Sequence, residues 1–251
     1  MTETTRWRER CWAEAGWEAL GPRAGRRRLP VWDCTVGLVA GEHAALLVDA
    51  GSSLDEGARL RAEARPLLAS LGGARDVTHL ALTHPHFDHV LGAAAFPGAE
   101  VFGAAGVETV LSHGRAELGA DAVRYGLDPA AAAAAVDAPT PPTRPVPDAW
   151  TLDLGGVRVV LANVGPGHTA HDLAVLVPGD RAVVFCGDLV EESGEPQAGP
   201  DAVPSRWPAA LDRLLGLGGP DALYVPGHGA VVDAAFVRAQ RDELAARFGV
   251  S

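Results

Sequence analysis

Six consecutive positions, His84 to His89 within "LALTHPHFDHVLG", hold three histidines and an aspartate, in a chain with only nine histidines. Neutral imidazole is the commonest metal ligand, and carboxylates complete many such sites. A polar surface turn is the plain alternative, but it gives no reason for the crowding. His84 and His86 are two apart and can point the same way from an extended backbone, and Asp88 and His89 can turn to a second position as a helix begins. Three further stretches add to the set. "VGPGHTAHD" places His168 in a Gly-rich turn after an apolar run, "VVFCGDLV" places Asp188 at the end of a strongly apolar strand, and "LYVPGHGAVVD" does the same for His228. Each is weak alone, since a lone His beside Gly is more often a turn residue. Together they supply five histidines and two aspartates, all expected at strand ends, where α/β architectures place their sites.

Such a set suits metal-assisted chemistry. Imidazoles and carboxylates accept Zn, Fe or Mn, so the ligand types alone do not choose among them. Two cations about 3.5–4 Å apart can polarise a carbonyl or phosphoryl oxygen and lower the pKa of water from about 15.7 to about 7. A nucleophile then exists at neutral pH without a catalytic serine or cysteine.

The elements that must position these residues fall into two similar segments. In the first, "VGLVAGEHAALLVDAG" reads as two strands around a tight turn, followed by a helix over about 54–71, the strand "VTHLALT", the histidine turn and the strand "AEVFGA". In the second, "WTLDLGG", "VRVVLANV" and a hairpin in "DLAVLVPGDRAVVFCGD" precede a helix near 208–217, the strand "DALYVPG" and a last helix over about 233–248. The pattern predicts an α/β fold of four layers, an αββα sandwich. One domain is expected over 1–251, with halves at about 1–103 and 150–251. A helical insert and the extended connector "PTPPTRPVP" join them over about 104–149. The first thirty residues, with Trp7, Trp12 and Trp17, are not placed by pattern; the tryptophans read as packing groups.

Composition narrows the function. A formal charge of −11 argues against nucleic acid or an anionic membrane as partner. All 21 basic residues are arginine, which excludes lysine Schiff-base chemistry. No stretch reads as a secretory leader or membrane span, so a cytoplasmic protein acting on a small molecule is expected, with the oligomeric state open. Cys11, Cys34 and Cys186 form neither a disulfide framework nor a CxxC site, and Cys186 reads as core.

The pattern His84-x-His86-x-Asp88-His89, then His168, Asp188 and His228, with Asp49 in "LLVDAG", resembles the metallo-β-lactamase superfamily over roughly 31–235. The resemblance implies the αββα fold and two metal ions per chain, usually Zn2+. His84, His86 and His168 would hold the first ion, Asp88, His89 and His228 the second, and Asp188 would bridge them, so that Asp88 and Asp188 carry the catalytic role. Asp188 resembles the bridging aspartate of the glyoxalase II branch, which points to a thioester, ester or lactone rather than a β-lactam. Only 23 residues follow His228, so the helical extension that binds glutathione in glyoxalase II is expected to be absent. The main alternative within the superfamily is a persulfide dioxygenase with one iron. Walls of the pocket are expected from 191–207, ending in Trp207, and from the insert with His113, Arg115, Arg124 and Tyr125; His171 and Asp172 are candidates to orient His168.

Overall fold

A computed structural model describes residues 3–138 and 140–250. Pro139, at the start of the expected connector, lies outside the described residues.

The first sheet holds seven strands in chain order: β1 (Glu18–Ala19), β2 (Ala24–Arg28), β3 (Thr35–Ala40), β4 (Ala45–Val48), β5 (His79–Leu82), β6 (Glu100–Ala104) and β7 (Arg144–Val146). β1 to β4 pair antiparallel, and β4 to β7 run parallel. Parallel strands need a crossover. α2 (Leu54–Ser70) supplies it between β4 and β5, after α1 (Glu3–Glu14) has opened the chain. Ser53 caps α2 by accepting from the Glu56 N–H, and Leu60, Ala64, Leu67 and Leu68 form its buried face. The second sheet runs β12–β11–β10–β9–β8, from β8 (Ala149–Asp153), β9 (Arg158–Asn163), β10 (Leu173–Val177), β11 (Val183–Glu191) and β12 (Leu223–His228). α7 (Trp207–Gly218) and α8 (Ala234–Phe248) pack together outside it, giving the expected four layers. β3, β4 and β10 are almost wholly apolar and buried, as strands covered on both faces must be.

Within the extended connector, Arg144–Val146 joins the first sheet as edge strand β7. An edge position tolerates Pro145, whose missing N–H would break a ladder in the sheet interior. Asp188 does not end its strand but sits inside β11, where the register with β12 slips on both sides of Gly187. The insert forms three helices, α4 (Val107–His113), α5 (Arg115–Arg124) and α6 (Pro129–Asp137). Asp128 caps α6 by accepting from the Ala130 and Ala131 N–H groups. The N-terminal tryptophans divide: Trp12 and Trp17 are buried edge-to-face at 6.3 Å, and Trp7 is exposed.

Candidate metal centre

The histidine turn leaves the carboxyl end of β5 and closes with the one-turn helix α3 (Phe87–Val90). His168 comes from the β9–β10 loop, Asp188 from the irregular part of β11, and His228 from the last position of β12. The slip in β11 is what aims Asp188. An extra residue in one strand bends it and redirects a side chain. Gly187 makes the bend possible: its φ is +54°, and a Cβ there would stand 2.8 Å from the Thr83 side chain. Gly227 on β12 leaves the space that Asp188 Oδ1 occupies, which any Cβ at that position would overlap.

All seven predicted residues meet. His84, His86, His168 and Asp188 offer ligand atoms within 4.8 Å of one another, and so do His89, Asp188 and His228. Asp188 belongs to both groups. Its Oδ2 lies 3.6 Å from His84 Nε2, 3.6 Å from His168 Nε2 and 3.4 Å from His228 Nε2, and its Oδ1 is 3.2 Å from His89 Nε2. Asp88 Oδ2 joins the second group, 3.3 Å from His228 Nε2 and 3.6 Å from His89 Nε2.

The outer nitrogens of the five rings decide where the protons sit. His89 Nδ1 donates to Asp49 Oδ2 at 2.8 Å, and His228 Nδ1 donates to the Trp32 carbonyl at 2.7 Å. His168 Nδ1 donates to the Gln197 carbonyl at 3.1 Å, and His86 Nε2 to Asp201 Oδ2 at 3.0 Å. His84 Nδ1 lies 2.9 Å from Thr83 Oγ1, whose own proton goes to Asp49 Oδ2 at 2.8 Å, so the hydroxyl accepts from the ring. None of these partners can donate back. In its neutral form each imidazole therefore turns a bare lone pair inward. His86 Nδ1 and His168 Nε2 then face each other at 3.1 Å with no proton between them.

Sequence reasoning missed most of these partners. Asp49 was visible in "LLVDAG", but Thr83, Trp32, Gln197 and Asp201 were not, since three of these contacts span more than 25 positions and two use backbone carbonyls. His171 and Asp172 are not the outer partners of His168: Asp172 accepts from Thr169, and the His171 ring packs over Gly106. Cys34 was also overlooked. It lies in a group with Asp88 and His89, its thiol donating to the Asp88 carbonyl at 3.3 Å, and burial pushes its pKa up to about 11. Cys186 is core, as expected.

Over residues 29–228 the sequence matches the profile of the Metallo-beta-lactamase superfamily. The chain belongs to the metallo-β-lactamase superfamily. A metallo-β-lactamase from Pontibacter korlensis is similar in structure, with 19% identity over 91% of this chain and 97% of that one and a TM-score of 0.68. The enzyme from Hirschia baltica shares 16% identity over 91% and 96%, at a TM-score of 0.64. The mono-zinc form of FIM-1 from Pseudomonas aeruginosa shares 19% over 94% and 96%, at 0.63. At these identities the likeness is one of fold. No curated protein matches the sequence significantly.

The superfamily implies a metal centre, and the residues of this metallo-β-lactamase fold suit one. His84 Nε2 and Asp188 Oδ1 are buried without a hydrogen-bond partner, which costs about 1–3 kcal/mol for such a group unless a cation meets it. The rings differ in their protons: burial opposes charge on His86, but Asp201 outweighs it and holds that ring above the usual histidine value. Burial pushes His168 down to about 4, and burial with the neighbouring His89 holds His84 well below the usual histidine range, so both stay neutral. Burial also opposes charge on His228, but Asp188 and Asp88 outweigh it and carry that ring up to about 12. In the metal-free protein this pairing stabilises the fold fully below the ordinary histidine value of 6.5 and is lost as pH rises through about 12. An ion entering the second group must displace that proton. Its apparent affinity is therefore expected to rise about tenfold per pH unit for each proton displaced. Chelator competition between about pH 6 and about pH 8 reads the slope; a flat profile would contradict it.

Among the described residues no helix is long and apolar enough to cross a membrane.

Proposed function

We propose that the chain is a metal-dependent hydrolase that opens a thioester, ester or lactone of a small molecule, with about two Zn2+ ions per chain. The observation that supports this most is the position of Asp188, one carboxylate facing both ligand groups. When bound, the ions would supply Lewis acidity and a hydroxide at neutral pH. The chain's own residues do the rest. His84, His86 and His168 would hold one ion, Asp88, His89 and His228 the other, and Asp188 both. Burial raises the Asp88 pKa, but His89 and His228 bring the net value below the usual carboxylate range. With an ion bound, Asp88 would be kept ionised by the cation in place of the two rings, able to take the proton of an attacking water and return it to the leaving group.

An aromatic cluster next to the histidine turn along the chain supports an apolar acyl group. Phe87, between His86 and Asp88, meets Trp32 edge-to-face at 5.2 Å and stacks on Tyr125 at 5.8 Å. Tyr125 is 63% exposed and Phe87 is buried, so only the tyrosine end of this stack is open to a ligand. Of the insert's other candidates, Arg124 pairs with Asp121 and His113 bonds the Thr109 carbonyl on the surface. Trp207 is buried and touches the site only by packing edge-on against His168 at 5.4 Å.

The test is a side-by-side assay of thioesters, lactones, a chromogenic cephalosporin and a phosphodiester, each with zinc and with chelator, alongside elemental analysis. Chelator-sensitive cleavage of the acyl substrates is expected, with little of the cephalosporin and none of the phosphodiester. Cleavage of the phosphodiester alone would overturn the reading. One iron per chain, with oxygen uptake on a persulfide, would move it to the dioxygenase class.

A further inference from the structure

The segment between β11 and α7 closes over one ligand group only. Gln197 gives its carbonyl to His168 Nδ1 and Asp201 gives its carboxylate to His86 Nε2, at 3.1 and 3.0 Å. Both rings belong to the three-histidine group, and the partners are four residues apart on one loop. The loop is tied down elsewhere: Glu192 accepts from the Ala230 N–H at 2.6 Å, Arg247 donates to the Pro196 carbonyl at 3.0 Å, and the Val203 N–H donates to the Gly167 carbonyl at 2.9 Å. Between those ties, Gln197 to Asp201 makes its two ring contacts and two local bonds, the Gln197 amide donating to the Glu195 carbonyl at 2.7 Å and the Ala202 N–H to the Gly199 carbonyl at 3.2 Å. The other three rings take their outer partners from Thr83, Asp49 and Trp32, on different elements.

We propose that Asp201 is a positioning residue for His86, and that the 197–201 loop clamps the three-histidine group so that its occupancy and the closure of the loop are coupled. The inference rests on the reading that this group holds an ion. The carboxylate fixes the His86 proton on Nε2 and leaves Nδ1 as the inward lone pair, and the Gln197 carbonyl does the same for His168 Nε2. By thermodynamic reciprocity, an ion that needs both rings in place also favours the loop that holds them. Loss of such an outer partner costs about 10–100-fold in metal affinity, and the exposed setting of Asp201 puts the effect near the lower end. Its side chain is 47% exposed, so water competes for the contact. Asn at this position can still accept from Nε2 through its amide oxygen, which makes it the conservative variant.

Zinc affinity is measured by competition with a chromophoric chelator for the full chain and for Asp201→Ala and Asp201→Asn, together with hydrogen exchange over 197–201. Asp201→Ala is expected to weaken one of the two affinities about tenfold and leave the other unchanged, with Asp201→Asn in between. Zinc should slow exchange of the loop in the unaltered protein and much less in Asp201→Ala. The melting temperature of the chelated protein should not move, which separates positioning from a general structural role. Unaltered affinities in Asp201→Ala, or a loop whose exchange ignores zinc, would overturn the clamp while leaving the metal reading intact. An unaltered chain that binds no zinc would overturn both, and that arm alone shows it.

Discussion

Asp188→Asn is expected to lose more than about 100-fold in turnover and to fall from about two ions per chain to one or none, with the fold retained. The bound is set by comparison: removing a mere outer partner costs up to about 100-fold, and Asp188 faces both ligand groups directly. His89 and His228, which hold its carboxylate well below the usual range against the opposing effect of burial, would keep Asp88 as their anionic partner. Asparagine matches aspartate in volume, so the tight space at Gly227 is not overfilled. His168→Ala provides the contrast, expected to empty mainly the three-histidine group. Elemental analysis, circular dichroism and turnover on the two variants measure this. Two ions and full turnover in Asp188→Asn would remove Asp188 from the site.

Asp49 carries the second large effect. It is buried with φ +62°, and its two oxygens accept from the Thr83 N–H, the Thr83 hydroxyl and His89 Nδ1, each at 2.8 Å. Asp49→Ala leaves those donors unpaired and places a methyl side chain at a left-handed φ. A loss of about 3–5 kcal/mol of stability is expected. Asp49→Asn separates stability from chemistry, because Asn tolerates that φ. If the amide oxygen keeps the Thr83 N–H, the NH2 faces His89 Nδ1 and forces its proton onto Nε2. The reverse orientation sets NH2 against a backbone N–H and is disfavoured. His89 then points a proton inward, where an ion needs a lone pair. Asp49→Asn should therefore fold and melt near the unaltered protein once both are stripped of metal. Both metal affinities should fall, the second about 10–100-fold, because the same NH2 faces the Thr83 hydroxyl, whose proton then turns to His84 Nδ1 and sends that ring's proton inward too. Thermal unfolding with chelator and zinc competition without it give the two readings. A variant that keeps both affinities would show that Asp49 does not set the tautomer.

Much of the fold was legible because its signals are local. The hydrophobic runs of β3, β4, β5 and β10 and the periodic face of α2 are set by neighbours along the chain. The insert read as helix from its alanine run, Ala130 to Ala135, while the cap at Asp128 before Pro129 was not singled out. What failed to show was non-local. β7 exists because β6 offers an open edge to Arg144–Val146, and nothing in "PTPPTRPVP" announces a partner. The bulge at Gly187 depends on the pairing of β11 with β12, so Asp188 read as a strand end.

The same division runs through the candidate site. Residue order set which residue types were present, and the spacing His84-x-His86-x-Asp88-His89 put four candidate ligands on one turn, where chain geometry alone keeps them close. It also determined the donor chemistry, since imidazole and carboxylate carry the same lone pairs in any fold. Tertiary packing was needed for His168, Asp188 and His228 to meet that turn, because only two stacked sheets bring residues up to 140 positions apart within reach of one another. It alone decided the tautomers as well. An imidazole keeps its proton on whichever nitrogen finds an acceptor, and Asp49, Thr83, Trp32, Gln197 and Asp201 become acceptors only once distant segments are packed beside the rings.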